Sequence, residues 1–321
     1  MQTTIGTDID VAIELLTAAK TVAIPTETVY GLAANALNPD ALLDIFKAKN
    51  RPRFNPLILH FPDWQSVWPH VEDIPPAAHV LASAFMPGPL TLLLTRNATV
   101  PDLVTAGSPK VAVRVPSHPL ARRLLAALPF PLAAPSANPF GYVSPTRAEH
   151  VLLGLQGRIP YILDGGPCQV GLESTIVDFE EENAIVRRKG GVPVEEIEKI
   201  LGAKVLIKTD AADHPVAPGQ LKSHYATKVP LYVGGVEQNC SKFAGLRICI
   251  IDFGEPRPAQ GHFLRLQLSE RADLDEAAKR LFQIMREADL SGAEVILVDW
   301  LPDKGIGSAV NDRLKRAASL D

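Results

Sequence analysis

Short apolar runs that break off abruptly into hydroxyls, amides or cations recur along the first two-thirds of the chain. They are "VAIPTETVYG" (residues 22–31), "LILH" (57–60), "KVAVRVP" (110–116), "LAAPSAN" (132–138), "ESTIVDF" (173–179) and "IVRRKGG" (185–191). Runs of this length are too short to span a bilayer and read instead as buried strands. Helical periodicity fills the gaps, but strands and helices do not alternate strictly. The chain is therefore expected to be α/β, with a twisted mixed β-sheet. In open α/β sheets ligands bind at strand ends, so strand ends that deliver polar groups point to a concave ligand cleft.

A first helix is expected from a cap at Asp8 or Asp10 to about Lys20, and a second from Pro39 to near Lys49. Strands are expected at 21–24, 57–61, 90–96, 131–134, 160–164, 174–178 and 184–188, with helices at 76–85, 117–127 and near 194–201. The run "KVAVRVP" is read as alternating an exposed and a buried side. The first domain is expected to cover 1–204. Residues 205–228 read as a linker, and the cluster Lys222, Ser223, His224, Tyr225 suggests that it docks on something. Residues 229–321 carry four further strands and helices at 273–289 and about 307–319, a small Rossmann-like α/β domain.

The densest basic cluster is "KAKNRPRFNPLILH" (47–60), with Lys47, Lys49, Arg51 and Arg53 where a helix gives way to a loop stiffened by Pro52 and Pro56. One or two cations would meet a helix dipole; four running past the helix suggest an anion site, phosphate above all. His60 closes the next strand. Arg114 lies inside an apolar strand and needs a partner, either an internal carboxylate or one on a ligand. In "APSANPFGYVSPTRAEH" (134–150), Ser144 is expected to cap a helix that starts at Pro145, with Thr146 and Glu149 as a capping box. "GLESTIVDF" brings Ser174 and Thr175 to a strand entry, and "VRRKGG" brings Arg187, Arg188 and Lys189 to a strand exit.

Several classes are excluded. There is no G-x-x-x-x-G-K-[ST], no G-x-S-x-G and no His/Cys metal set, and "GIGSAV" (305–310) reads as a turn into the last helix. Cys168, Cys240 and Cys249 are scattered and suit reduced thiols. The acidic start "MQTTIGTDIDVAIELL" lacks the basic region of a signal peptide, so a cytoplasmic, non-membrane protein is expected. Formal net charge is −4 and aromatic content 6%, which weakens the reading as an RNA-binding module.

Five stretches together resemble the YrdC-domain family: "PTETVYGL", the Lys49-Asn50-Arg51 triplet with "RPRFNPL", the Ser136-Ala137-Asn138 triplet, "SPT" and "ESTIVD". The linker "APG…SHYA" and the C-terminal part are similar to its two-domain form. Asn50 stands where this family commonly has Gly. The resemblance implies a YrdC-like catalytic domain that makes threonylcarbamoyl-adenylate and pyrophosphate from L-threonine, bicarbonate and ATP. Mg2+ would serve as nucleotide counter-ion, and the product would pass to a transferase complex that modifies tRNA adenosine. Direct tRNA binding is left open.

The same resemblance implies that Thr28, His60, Arg114, Ala134 and Ser174 hold threonine, with Arg114 on its carboxylate. Arg51, Asn55, Lys110, Ser136, Ser144, Arg188 and Tyr225 would hold the nucleotide, Lys110 and Ala134 through their backbone. Lys49, Arg51 and Asn138 would lie at the reacting phosphate. Tyr225 and the linker 205–228 would act as an active-site lid. A related carbamoyl-adenylate-forming maturation enzyme and an RNA-binding module of the same fold stand as the alternatives.

Overall fold

The computed structural model describes residues 1–181, 183–209, 217–219, 224–256 and 262–318. Lys222 and Ser223, on which the expected docking of the linker partly rests, lie outside them. The chain divides into two compact units. The first is Met1–Phe140, Ser144–Gln169 and Glu173–Leu221; the second is Gly141–Val143, Val170–Leu172 and Lys222–Asp321.

The first unit opens with β1 (Thr4–Gly6), α1 (Ile9–Thr17), β2 (Val22–Ile24), β3 (Gly31–Asn35), α2 (Pro39–Lys49) and β4 (Ile58–His60). It continues with α3 (Pro76–Phe85), β5 (Leu90–Thr95), α4 (Asp102–Thr105), β6 (Lys110–Arg114), α5 (Pro119–Ala127) and β7 (Leu132–Ala133). It closes with α6 (Ala148–Leu155), β8 (Tyr161–Leu163), β9 (Thr175–Glu180), β10 (Asn183–Arg188), α7 (Val194–Leu201) and β11 (Leu206–Ile207). The strands form one eleven-stranded mixed sheet in the order β1-β8-β2-β3-β7-β4-β6-β5-β9-β10-β11.

Side-chain alternation along the strands separates the two faces of this sheet. Leu59, Val111, Val113, Leu92, Leu94 and Val177 face the main core, with Leu42 and Ile45 of α2 and Leu81 of α3. Ile58, Leu93, Ala112 and Ile176 form a small cluster on the opposite face. Val111 to Arg114 are all buried, so β6 does not present the exposed side expected from "KVAVRVP". A strand covered on both faces has no reason to alternate in polarity.

The second unit holds β12 (Leu231–Val233), α8 (Val236–Lys242), β13 (Ile248–Asp252), β14 (His262–Gln267), α9 (Leu274–Leu290), β15 (Val295–Val298) and α10 (Gly307–Ala317). Its four strands are all parallel, in the order β12-β15-β13-β14. The seven-residue α8 is not foreseen in the sequence; "VEQNCSK" has too few apolar residues to show a helical stripe. No helix among the described residues is long and apolar enough to cross a membrane.

The expected helix start at Pro145 is not formed. α6 begins at Ala148 and no side chain caps it. The Ser144 hydroxyl donates instead to Glu173 Oε1 at 2.6 Å, a partner distant in sequence that outcompetes the local cap.

A close backbone approach also shapes this region. A Cβ at Gly190 would fall 2.3 Å from the Glu173 carbonyl oxygen and 2.5 Å from the Thr175 nitrogen. Gly190→Ala should therefore cost roughly 1–3 kcal/mol of stability through overpacking. Denaturant melts would show it, and an unchanged midpoint would refute the close approach.

Candidate active site

Four strands put their polar ends on the face opposite the main core. Parallel pairing of β4 and β6 sets His60 beside Arg114, and β7 sets Leu132 beside His60. Continuing the antiparallel register of β5 and β6 by one residue brings Thr91 beside Arg114. Ser174 enters β9, and its Oγ lies 2.7 Å from Thr91 Oγ1. A register shift in β10 between Val186 and Arg188 separates two neighbouring arginines. Arg187 turns to Asp178, whereas Arg188 donates from Nε and Nη2 to the Ser174 carbonyl and from Nη2 to Ser174 Oγ.

Arg114 is buried and forms an ion pair with the equally buried Glu27, Nη2 to Oε1 at 2.6 Å. Glu27 Oε2 also accepts from the Ser117 N–H. Arg114 Nε is buried without a hydrogen-bond partner. Both readings open in the sequence therefore have support: there is an internal carboxylate, and there is also donor capacity left for another group. His60 is held neutral by burial first and by the Arg114 charge second. These outweigh the carbonyls of Ile58 and Leu132 and bring its pKa to about 3.

The segment that follows β2 is a hydroxyl-built turn. The Thr26 hydroxyl donates to the Val29 carbonyl at 2.7 Å, and its oxygen accepts from the Thr28 and Val29 N–H groups. Thr26 has one hydrogen, so the 2.8 Å contact between the two hydroxyls must be donated by Thr28. Tyr30 is structural: its hydroxyl bonds Asp164 and the Gly166 carbonyl, and burial raises its pKa. Ala134 donates its N–H to the Ile58 carbonyl, and Ser136 bridges Gly31.

The basic cluster splits. Lys47 is exposed and meets Asp44, and Arg53 is exposed. Lys49 and Arg51 are buried. Lys49 ends α2, and its Nζ donates to the Ser136 carbonyl at 2.5 Å and to the Asn138 carbonyl. Burial, with Arg51 nearby, holds its pKa well below the usual lysine value. Asn50, in the left-handed conformation at φ 53°, caps α2 and turns the chain. Arg51 then donates to the carbonyls of Asn55 and Pro56. The Asn55 side chain is fully buried, and neither its Nδ2 nor its Oδ1 has a partner. A buried amide with two orphaned groups is costly unless a ligand satisfies it.

Two predicted residues have other settings. Lys110 shares the face of Arg114 but sits at the other end of β6, about 13 Å away at strand rise. Its ammonium lies on Asp178 and the Phe179 carbonyl. Tyr225 belongs to the second unit, buried at φ 66°, with its ring stacked on Phe282 and beneath the Arg313 guanidinium. Glu173, Glu27 and Thr91 were not among the expected site residues. Glu27 and Glu173 lie within "PTETVYGL" and "ESTIVD", whereas Thr91 is a lone hydroxyl in "LTLLL".

Neutral His60 has a consequence for acid stability. Its pKa is lowered in the fold to about 3, whereas an unfolded histidine titrates near 6.5. Between these values the unfolded chain binds a proton that the folded one does not. Stability is thus full above that window and falls on acidification, by at most about 1.4 kcal/mol per pH unit. Replacing His60 with Gln should flatten the dependence of stability on pH by about one proton between roughly pH 4 and pH 6. Urea melts across that range check this, and an unchanged slope would contradict a neutral buried ring.

Comparison with known proteins places this geometry in context. Residues 14–190 match the Sua5–YciO–YrdC family model, described as telomere recombination. Residues 192–319 match the C-terminal domain of threonylcarbamoyl-AMP synthase. The threonylcarbamoyl-AMP synthase of Pyrococcus abyssi is 38% identical, over 97% of this chain and 94% of that protein. That of Bacillus subtilis is also 38% identical, over 96% and 92%. The crystal structure of P. abyssi Sua5 complexed with L-threonine superposes with a TM-score of 0.90 at 36% identity, covering 100% of this chain and 99% of that one. With both parts matched in order along nearly its whole length, the chain belongs to the Sua5–YciO–YrdC family, in the form that carries the threonylcarbamoyl-AMP synthase C-terminal domain.

Proposed function

We propose that the protein is an L-threonylcarbamoyladenylate synthase, which makes threonylcarbamoyl-AMP and pyrophosphate from L-threonine, bicarbonate and ATP. The observation that carries this is the near full-length match to threonylcarbamoyl-AMP synthases, together with the threonine-bound relative of the same fold. The threonine amine attacks the carbon of bicarbonate, a C–O bond breaks and water leaves, giving a carbamate. A carbamate oxygen then attacks the α-phosphorus of ATP, and the bond to pyrophosphate breaks. No side-chain nucleophile is required. The demand is alignment of three substrates and neutralisation of their charge away from water.

In this reading Thr28, His60, Arg114, Ala134 and Ser174 hold threonine. Arg114 keeps one side on Glu27 and offers the buried Nε to the substrate carboxylate. Arg51, Asn55, Ser136, Ser144 and Arg188 hold the nucleotide, with the orphaned Asn55 amide as the strongest local support. Lys49, Arg51 and Asn138 lie at the reacting phosphate. Lys49 also fixes the Ser136–Asn138 loop, and an anion beside it would favour its charged form. Lys110 and Tyr225 are kept as nucleotide residues on the resemblance alone. The domain boundaries we propose are 1–204 and 229–321, with 205–228 between them.

Among the described residues no three His, Cys, Asp or Glu side chains gather as a resident metal would need. Mg2+ enters our reading only as a counter-ion held by the triphosphate itself. The product would be consumed by a transferase acting on tRNA adenosine, in the cytoplasm.

Pyrophosphate release should require both threonine and bicarbonate, and release independent of the amino acid would refute the assignment. Arg51→Ala should raise the KM for ATP by roughly tenfold or more, the loss of one charge-assisted hydrogen bond. Ser174→Ala should act mainly on the KM for threonine. Equal effects of both variants on both substrates would overturn this division of the pocket.

A further inference from the structure

The pair Thr91 and Ser174 contains one hydroxyl hydrogen more than the fold can use. Both residues are fully buried, and their oxygens meet at 2.7 Å. Ser174 Oγ also accepts from Arg188 Nη2 at 3.0 Å. Among the described residues Thr91 Oγ1 has no other hydrogen-bond partner than Ser174. Two hydroxyl hydrogens therefore share a single O–O contact, and one of them has no protein acceptor.

The Arg188 contact sets how the Ser174 oxygen is filled. A serine oxygen accepts through two lone pairs and donates once. If Thr91 donates to Ser174, then Thr91 and Arg188 fill both lone pairs, and the Thr91 hydrogen is satisfied. The Ser174 hydrogen then points away from both partners, a buried donor awaiting an acceptor. The opposite order leaves the Thr91 hydrogen spare instead; the first order is the one that puts the free donor on Ser174, the residue read as a threonine contact. Register continues the same picture: Thr91, Arg114 and His60 lie in one row across β5, β6 and β4, on the face opposite the main core.

We propose that Thr91 is a positioning residue that fixes Ser174 as a hydrogen-bond donor to an acceptor oxygen of the amino-acid substrate. This rests on the threonine reading above. Arg188 donates to Ser174 Oγ, so the chain Thr91–Ser174–Arg188 also links the amino-acid end of the pocket to the nucleotide end. Thr91 touches no reacting atom; it acts through the rotamer and hydrogen order of Ser174.

Steady-state pyrophosphate release with Thr91→Val, Thr91→Ser, Ser174→Ala and the Thr91→Val/Ser174→Ala double variant tests this. Valine keeps the shape of threonine and removes the hydroxyl. Thr91→Val should raise the KM for threonine roughly 5- to 15-fold, one buried hydrogen bond, and leave that for ATP within about twofold. Thr91→Ser should return it to within about twofold of the wild type. In the Ser174→Ala background Thr91→Val should add less than about twofold, because its partner is already gone.

A threonine KM unchanged in Thr91→Val would overturn the proposal. So would equal changes in both KM values, or effects of the two substitutions that multiply. Wild-type protein whose pyrophosphate release ignores threonine would refute the functional reading, and this proposal with it. Threonine-dependent wild type with an indifferent Thr91→Val would refute this proposal alone.

Discussion

A positive charge buried at the end of a core strand sets the terms for everything around it. Arg114 cannot stay there unpaired, and Glu27 is the group that makes its burial tolerable. The pair joins the turn after β2 to the end of β6, and the Ser117 N–H fixes the second carboxylate oxygen. Breaking such a pair from one side leaves an uncompensated charge, typically at a cost of about 3–5 kcal/mol. Replacing both partners with apolar residues is often neutral. A pair kept for stability alone would be dispensable, so its retention beside an unpartnered Nε fits a guanidinium held ready for something else.

The other polar groups divide their work in the same manner. Few side chains of the candidate site are uncommitted; most already hold a neighbouring group of the fold. Lys49 ties down two carbonyls, Arg51 two more, and Arg188 holds Ser174 by backbone and hydroxyl together. Such groups are preorganised, and little reorganisation remains when substrate charge arrives. A reaction whose difficulty lies in gathering three anionic or polar substrates, rather than in generating a nucleophile, suits that arrangement.

The strands were legible because most are short apolar runs, and the candidate site was marked out because those runs end in hydroxyls and cations. What stayed hidden was governed by partners distant in sequence. Ser144 looked like a helix cap, and nothing nearby announced Glu173 as the better acceptor. Four clustered cations looked like one site, yet the helical step of α2 puts residues two apart on opposite sides, Lys47 outward and Lys49 inward. Thr91 carried no signal, since a single threonine is ordinary in a β-strand. Arg114 was the opposite case: the oddity of its position was plain, but Glu27 as its partner required the fold.

Asn50 gives the Lys49–Asn50–Arg51 triplet a different meaning from the one its charges suggest. Its left-handed backbone ends α2, so that one cation reaches the Ser136–Asn138 loop and the next reaches back to Asn55 and Pro56. The middle residue is thus chosen for a dihedral angle, not for chemistry. After glycine, asparagine is the residue that most often adopts that angle at a helix end. A search pattern that insists on glycine between the two cations asks a question about backbone geometry while seeming to ask one about catalysis, and it would discard chains that turn the same corner with a different residue.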